Sequence, residues 1–352
     1  MTASYWPAAS VKSSREAFDS AFRAGAQSHG AVIIENFSFE APWTDIKSLQ
    51  DLLVRRPDIC ERLNAAQPPT KPNVKLAAVN FNKDSNRIID QKVSLDSSAK
   101  RISKMAEDGV DIVELLGEQC KSIIDFHANI EALLAPRIMQ ALSGLVDDQL
   151  DSIHSDRAFT LRLCHYFERQ AGEIAPRCGK HRDYGTFTII FQDASQPGLE
   201  MLRDGVWQRV PAGCCVVQFG WCSQIRSNDR IKALPHRVVD SPAGADGIVP
   251  RRDSVAFFVA PDEAALLETI TREGEVALYA DMPTTHKQFK ALMARRWSER
   301  EGTVEAGSDT RSQEDIVEEY QRAATMRHAS AMDSGPAIKE ALSTAAAPAI
   351  CA

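Results

Sequence analysis

Two histidines and an aspartate have the types and spacing of a metal-binding set. His181 and Asp183 lie two residues apart, just before the apolar run 186–191, whose β-branched and aromatic residues predict a strand. Side chains at positions i and i+2 of an extended chain point to the same face, so this imidazole and carboxylate are directed at one point. A third ligand must come from elsewhere, and His236, which opens the strand-like run 236–239, is the best candidate. Two histidines and one carboxylate are the ligand set of non-haem Fe(II) oxygenases, which keeps three positions open for substrate and oxygen.

The same residue types also permit other sites. A single His-x-Asp pair is common by chance, and a histidine before a strand is often a hydrogen-bonded surface residue. The three side chains could equally hold Zn²⁺ in a hydrolase, since histidine and aspartate suit zinc as well. Against that class, no separate glutamate base is evident. The residues alone leave these alternatives open.

A second group of residues has the chemistry to bind an acidic molecule. Arg252 presents a fork of donors that can meet a carboxylate bidentately. Ser254 places a hydroxyl on the same face of the predicted strand. The apolar run 255–260 puts Arg252 at the edge of a buried strand, where a charge requires a partner. The alternative is a surface arginine near a turn, which the adjacent Arg251 could be.

In order and spacing, these segments resemble the isopenicillin N synthase-like branch of the Fe(II)/2-oxoglutarate-dependent dioxygenases. The resemblance covers about residues 5–300. The segments that match that branch are residues 181–185 (His-Arg-Asp-Tyr-Gly), 198–201 (Gly-Leu-Glu-Met), 205–210 (Gly-Val-Trp-Gln-Arg-Val), 227–230 (Ser-Asn-Asp-Arg), 236–238 (His-Arg-Val) and 252–258 (Arg-Asp-Ser-Val-Ala-Phe-Phe).

The resemblance implies a role for each candidate residue. His181, Asp183 and His236 would be the catalytic iron ligands, and Arg252 and Ser254 would clamp the distal carboxylate of 2-oxoglutarate. Fe(II), 2-oxoglutarate and O2 would be the cofactor and co-substrates. The reaction would hydroxylate, desaturate or cyclise a small organic molecule, in natural-product (secondary metabolite) biosynthesis.

The resemblance also implies co-substrate or substrate contacts for other residues, which fewer matching positions support. Tyr166 takes the place of a family tyrosine that hydrogen-bonds 2-oxoglutarate. Cys164 stands where many members carry asparagine, and because a thiol is a poor donor, co-substrate binding at that point must differ. The candidates for substrate contact are Asn80, Phe81, Asn82 and Trp221.

Two rival classes remain beside the zinc hydrolase. One is an Fe(II) oxidase that uses no 2-oxoglutarate, of the isopenicillin N synthase or ethylene-forming type, in which the Arg-x-Ser pair serves the substrate. The other is a non-enzymatic binding protein built on a decayed barrel, against which the intact His-Asp-His set argues. Succinate formation separates the first from the 2-oxoglutarate-dependent reaction, and a bound-metal assay tests the second.

The composition of the chain limits the classes of partner that we expect it to bind. Its net charge is −7 and no basic stripe occurs, which excludes a nucleic-acid partner. No apolar stretch approaches the ~20 residues needed to cross a bilayer, so no membrane partner is expected. The eight cysteines form no Cys-x-x-Cys pair, and reduced thiols and a cytoplasmic location are expected. The oligomeric state cannot be read from these features.

The fold class expected is α+β, with a double-stranded β-helix (jelly-roll) barrel and flanking helices. We divide the chain into a mainly helical region at 1–150, the dioxygenase core at 151–300 and an extension at 301–352 with a possible lid helix and a disordered tail. Helices are predicted at 14–29, 43–64, 112–143 and 313–326, and Pro136 should break or kink the third. Asp204 and Gly205 predict a hairpin turn. We expect His286, near the start of a closing helix, to be exposed.

Overall fold

The computed structural model describes residues 6–65, 67, 73–76, 92–146, 150–157, 159–172, 177–282, 285–301 and 311–333. Most of its strands belong to two sheets. The strands, in chain order, are β1 (Ala8–Ser10), β2 (Ala31–Glu35), β3 (Val74–Leu76), β4 (Lys92–Ser97), β5 (Thr160–Tyr166), β6 (Arg169–Gln170), β7 (Cys178–His181), β8 (Phe187–Gln192), β9 (Leu199–Arg203), β10 (Val206–Arg209), β11 (Cys215–Phe219), β12 (His236–Val238), β13 (Ile248–Val249) and β14 (Arg252–Val259).

Most of the helices precede or follow the barrel strands along the chain. They are α1 (Arg15–His29), α2 (Trp43–Arg55), α3 (Pro57–Ala65), α4 (Ala99–Glu107), α5 (Ile112–Leu116), α6 (Gln119–Asn129), α7 (Ala135–Val146), α8 (Trp221–Arg226), α9 (His286–Glu301) and α10 (Gln313–Asp333).

The strands form a major and a minor sheet. The major sheet has the order β1-β2-β11-β8-β14-β5-β4-β3, the minor sheet has the order β10-β9-β12-β7, and β13 and β6 form a separate ribbon. Apart from the parallel pair β1–β2, the paired strands are antiparallel. From β7 onward the chain passes repeatedly between the two sheets, with β9 and β10 forming a hairpin in the minor sheet, as in a jelly roll. The predicted fold class is confirmed, and β1–β4 from the N-terminal region extend the major sheet.

The two faces of the major sheet have different neighbours. Phe257 of β14 lies in a core cluster with residues of α1, α6 and α7, so these helices cover the outer face. Ala256 packs instead with Leu199 of the minor sheet, across the barrel interior. Because side chains alternate along a strand, Arg252 and Ser254 share the inner face with Ala256.

The predicted helices are present, but two of the predicted zones, 43–64 and 112–143, are each divided into separate helices. Ser14 caps α1, its Oγ accepting a hydrogen bond from the backbone N–H of Ala17 at 3.2 Å, and Gly30 ends the helix in the left-handed region, with φ 67°. The helix predicted over 43–64 is divided at Arg56, which adopts φ −126° and ψ 76°. The division has a local cause, because a residue before a proline is disfavoured in the helical region and Pro57 follows.

Pro136 does not end the third helical zone. A π-helical turn, Ile130–Leu134, joins α6 to α7 directly before the proline. A π turn is a recognised way for a helix to accommodate a locally misplaced hydrogen-bonding group. The zone 112–143 is therefore formed by α5, α6, the π turn and α7.

The C-terminal part of the described chain packs back onto the core. Val317 of α10 is buried in a cluster with Trp221 and with Phe289 of α9. The expectation that His286 is exposed is wrong. Its side chain is 1 % exposed, and its ring lies 6.2 Å from that of Tyr184. The cause is tertiary, since α9 begins against the segment that carries Tyr184.

The described cysteines are free thiols, as expected. Within the described ranges, no helix combines the length and apolar character that crossing a bilayer requires.

Candidate metal and co-substrate site

Two neighbouring strands of the minor sheet bring the candidate histidines together. His181 ends β7 and His236 begins β12, and the two residues are direct partners in the antiparallel register. Their ring centroids are 4.1 Å apart. Asp183 lies beyond the end of β7, in the connection that crosses to β8 of the major sheet. The extended chain that was expected to direct His181 and Asp183 at one point ends at His181, and the two side chains converge across the bend that follows.

The three side chains present a compact donor set. Nε2 of His181 and Nε2 of His236 each lie 3.8 Å from Oδ1 of Asp183. One ligand atom from each residue lies within 4.8 Å of the others. Nitrogen and oxygen ligands bind first-row metals at about 2.1 Å, so ligands on one ion are separated by up to about 4 Å. The arrangement fits a divalent ion after small side-chain adjustments.

Hydrogen bonds orient both imidazoles for coordination. Nδ1 of His181 lies 2.8 Å from the carbonyl oxygen of Gly179, and Nδ1 of His236 lies 3.2 Å from that of Leu234. A carbonyl oxygen only accepts, so each Nδ1 carries the proton and each Nε2 keeps a lone pair. The lone pair of His236 Nε2 accepts a hydrogen bond from Nε2 of Gln218 at 3.0 Å, which a bound metal ion would replace. Burial, with the neighbouring His236 ring, lowers the pKa of His181 to about 3. The neutral form, which binds metals, is therefore favoured.

Asp183 is held in its ionised form by its surroundings. Burial opposes ionisation, but the two imidazoles and two hydrogen bonds lower the pKa of this carboxyl below its ordinary value. Oδ2 accepts hydrogen bonds from the Thr188 hydroxyl and, at 2.8 Å, from Nε2 of Gln218. Because Oδ2 is occupied, Oδ1 is the oxygen directed at the candidate metal position.

Gln218 was not identified from the sequence, where it is one polar residue in the apolar run of β11. We expect Gln218→Leu to weaken Fe(II) binding by roughly 10- to 100-fold, the usual result of removing an outer-shell partner. Fe(II) affinity measured by competition with a chromogenic chelator tests this. Gln50→Leu is the matched control, since Gln50 is also fully buried but lies in α2. Equal Fe(II) affinity in Gln218→Leu and the control would contradict the assignment.

Gly220 allows the metal loop to lie against the start of α8. A Cβ at this position would collide with the carbonyl oxygen of Gly185 and lie 2.9 Å from that of Asp183. The backbone N–H of Trp221 donates to the same Asp183 oxygen at 2.9 Å. A larger residue at 220 must therefore displace the loop that carries a candidate ligand.

We expect Gly220→Ala to destabilise the protein by about 1–3 kcal/mol, the usual cost of overpacking. Because the displaced loop carries Asp183, Fe(II) affinity should fall as well. Thermal unfolding and metal titration measure the two effects. A variant that keeps both its unfolding temperature and its Fe(II) affinity would show that the loop is not constrained here.

A buried arginine also faces the barrel interior. Arg252 is 2 % exposed and faces Tyr166 across the β14–β5 pair, its guanidinium 5.3 Å from the centre of the phenol ring. Nη1 donates to Ser254 Oγ at 3.0 Å, and Nη2 donates to Gln192 Oε1 at 3.1 Å. Gln192 is a further contact that the sequence did not suggest.

The described part of the chain leaves the charge of Arg252 uncompensated. Its Nε is buried without a hydrogen-bond partner, and none of the described carboxylates forms an ion pair with it. A buried cation is costly unless an anion meets it. The pocket therefore has the chemistry to bind a small organic anion, as the resemblance implies for 2-oxoglutarate.

Tyr166 and Cys164 line the same interior. Both are buried in a small cluster with Cys178 and Val238 of the minor sheet. Burial raises the pKa of the Tyr166 phenol and of the Cys164 thiol, so both groups stay protonated. Tyr166 can donate its O–H to a bound carboxylate, whereas the thiol is a weak donor.

Of the four candidates for substrate contact, the structure describes Trp221. Trp221 is 1 % exposed and lies in the core beneath α10. Its ring is 4.7 Å from the guanidinium of Arg182, which pairs with Glu314 of α10 at 3.7 Å. Its contact with substrate stays a prediction. The other three lie outside the described residues: Asn80, Phe81 and Asn82.

Comparison with known families identifies the core. Residues 159–261 match the model of the 2OG-Fe(II) oxygenase superfamily. The barrel core is therefore similar to the 2OG-Fe(II) oxygenase superfamily. The matched range contains the three candidate metal ligands together with Arg252, Ser254 and Tyr166.

Curated relatives of this chain include proteins of fungal origin. Proline hydroxylase buaE of Petromyces alliaceus is 31% identical over 175 residues, covering 46% of this chain and 54% of the relative. The 2-oxoglutarate-dependent dioxygenase frbA of a Dothideomycetidae species is 28% identical over 170 residues, covering 44% and 50%. The chain thus spans about half the length of these curated relatives.

Solved structures support the fold. A full-length Neurospora crassa protein, crystallised in complex with alpha-KG, has a TM-score of 0.68 at 20% identity, covering 82% of this chain and 96% of that one. A putative 2OG-Fe(II) oxygenase family protein of Caulobacter crescentus has a TM-score of 0.66 at 18% identity, covering 83% and 99%. The expected cofactor and co-substrates, Fe(II), 2-oxoglutarate and O2, are those of this superfamily. The His-Asp-His set and the buried arginine fit them.

Proposed function

We propose that this protein is an Fe(II)- and 2-oxoglutarate-dependent oxygenase that acts on a small organic molecule in secondary metabolism. The observation that carries the proposal is Arg252, which is buried without a carboxylate partner among the described residues and faces the same barrel interior as the His181–Asp183–His236 set. The fungal dioxygenases among the relatives support a natural-product substrate.

Two groups of residues would have different binding roles at the two ends of the barrel interior. His181, Asp183 and His236 would hold Fe(II) from one side. Arg252 and Ser254 would bind the distal carboxylate of 2-oxoglutarate, which leaves its keto-acid end directed at the metal. With Fe(II) bound, the centre supplies the oxidative conversion of 2-oxoglutarate and O2 to succinate and CO2, coupled to oxidation of the substrate.

Positioning and exclusion of water are the contributions of the protein itself. The apolar contacts between the sheets keep the interior dry, which strengthens the interaction between Arg252 and a carboxylate. The hydrogen bonds to Asp183 fix the orientation of the ligand before substrate arrives. Tyr166 remains protonated and can donate to the co-substrate.

Succinate release tests the proposal. The Fe(II)-loaded protein is incubated aerobically with 2-oxoglutarate and a panel of small molecules, with proline included because one relative is named a proline hydroxylase. We expect Fe(II)-dependent succinate formation that a true substrate accelerates. Substrate oxidation without succinate would favour the 2-oxoglutarate-independent oxidase instead. Activity with Zn²⁺ alone would contradict both.

A further inference from the structure

A lysine shares the inner face of the major sheet with the candidate co-substrate residues. Tyr166 of β5 is the direct partner of Arg252 on one side and of Lys92 on the other. Residues directly opposite each other in antiparallel strands place their side chains on the same face. Lys92, Tyr166 and Arg252 therefore form one row across three strands.

The row places two cationic side chains close enough to contact the same anion. Adjacent strands lie about 4.8 Å apart, so the Cα atoms of Lys92 and Arg252 are separated by about 10 Å. Both side chains are long enough to reach a small anion located between them, above the ring of Tyr166.

The side chain of Lys92 extends into the space between the sheets. Its Nζ lies 3.3 Å from Sγ of Cys178, on β7 of the minor sheet. That sulfur lies 3.9 Å from Nδ1 of His181. The ammonium group is thus near the base of the candidate metal site, on the interior that Arg252 also faces.

The adjacent row explains why a further donor is needed. Cys164 is the direct partner of Ser254 on β14 and of Ser94 on β4. Its thiol, neutral and weakly donating, lies in the middle of the pocket wall. A carboxylate has about four acceptor sites, and Arg252 with Ser254 approaches it from one side only.

We propose that Lys92 is a second anchor for the distal carboxylate of 2-oxoglutarate, opposite Arg252. This inference rests on the proposed function. Arg252 and Ser254 bind one side of the carboxylate, and the Lys92 ammonium group binds the other.

The test compares two 2-oxo acids on matched variants. 2-Oxobutyrate has the same keto-acid end as 2-oxoglutarate but lacks the distal carboxylate. Each is titrated anaerobically into Fe(II)-loaded protein while the visible charge-transfer band is followed. The variants are Lys92→Met, which removes the charge, and Lys92→Arg, which keeps it. Lys121→Met is the control, because Lys121 is an exposed lysine on α6.

We expect Lys92→Met to raise the dissociation constant of 2-oxoglutarate by roughly 10- to 100-fold, in the range of a lost hydrogen bond to a charged group. The constant for 2-oxobutyrate should not change, and Lys92→Arg should stay within a few fold of the parent. Unchanged 2-oxobutyrate binding also shows that the variant is folded. If Lys92→Met does not fold, Lys92→Gln replaces it with the same expectation.

Two results would overturn the inference. Unchanged 2-oxoglutarate affinity in Lys92→Met would remove Lys92 from the co-substrate site while leaving the proposed function intact. An equal loss for both acids would place its effect at the metal end or in the fold. Absence of any band in the parent protein would instead reject the proposed function itself, and Lys92 with it.

Discussion

His181→Ala is expected to abolish both Fe(II) binding and turnover. The substitution removes one of three protein ligands, so the remaining two should hold the ion far more weakly against competition from water. The loss of metal affinity should exceed the roughly 10- to 100-fold that follows removal of an outer-shell partner. Metal content after dialysis against Fe(II), together with succinate release from 2-oxoglutarate, measures the effect.

The control for this substitution is His328→Ala, since His328 is an exposed histidine on α10. It should bind as much iron as the parent protein. Addition of Fe(II) should raise the unfolding temperature of the parent and the control but not that of His181→Ala, because a ligand stabilises only a protein that binds it. Retained 2-oxoglutarate decarboxylation in His181→Ala would remove His181 from the metal site.

Arg252→Ala is expected to weaken 2-oxoglutarate binding while leaving Fe(II) affinity unchanged. Truncating one partner of a buried charge pair costs about 2–5 kcal/mol, or more than about 30-fold in the dissociation constant. Arg252→Lys should recover part of this loss, because it restores the charge without the bidentate fork. Anaerobic titrations of Fe(II) and of 2-oxoglutarate separate the two affinities.

The adjacent Arg251 provides the matched control for this second prediction. It pairs with Asp51 and Asp253, and the alternation along the strand directs it away from Arg252. Arg251→Ala should therefore leave 2-oxoglutarate affinity nearly unchanged. Because Arg252 is a buried cation without a counterion among the described residues, its removal should not lower the unfolding temperature of the metal-free protein. A large drop in that temperature with unchanged 2-oxoglutarate affinity would make Arg252 a structural residue.

The sequence predicted the elements better than their contacts. Local patterns were sufficient for α1 with its cap and for the hairpin at Asp204 and Gly205, whose φ angles of 50° and 77° are both positive as that turn requires. The resemblance placed all six candidate site residues in one barrel, and the geometry brings them together. Their individual roles stay predictions, as do the boundaries at 150 and 300 and the cytoplasmic location.

What the sequence could not predict depends on residues far apart in the chain. Gln218 lies 35 residues from Asp183 and meets it only because the chain crosses between the sheets. Lys92 reaches Cys178 across 86 residues by the same route. The burial of His286 follows from the position of α9 against Tyr184, which helical periodicity does not encode.

The central claim is that one interior holds both Fe(II) and 2-oxoglutarate. The most direct test is an anaerobic titration of 2-oxoglutarate into the Fe(II)-loaded protein, followed by visible absorption. A metal-to-ligand charge-transfer band that grows and saturates is the predicted result, because it requires the keto acid to chelate the same ion. Iron that binds without producing a band would contradict the claim, and Arg252 with Ser254 would then be assigned to the substrate of an oxidase that uses no 2-oxoglutarate.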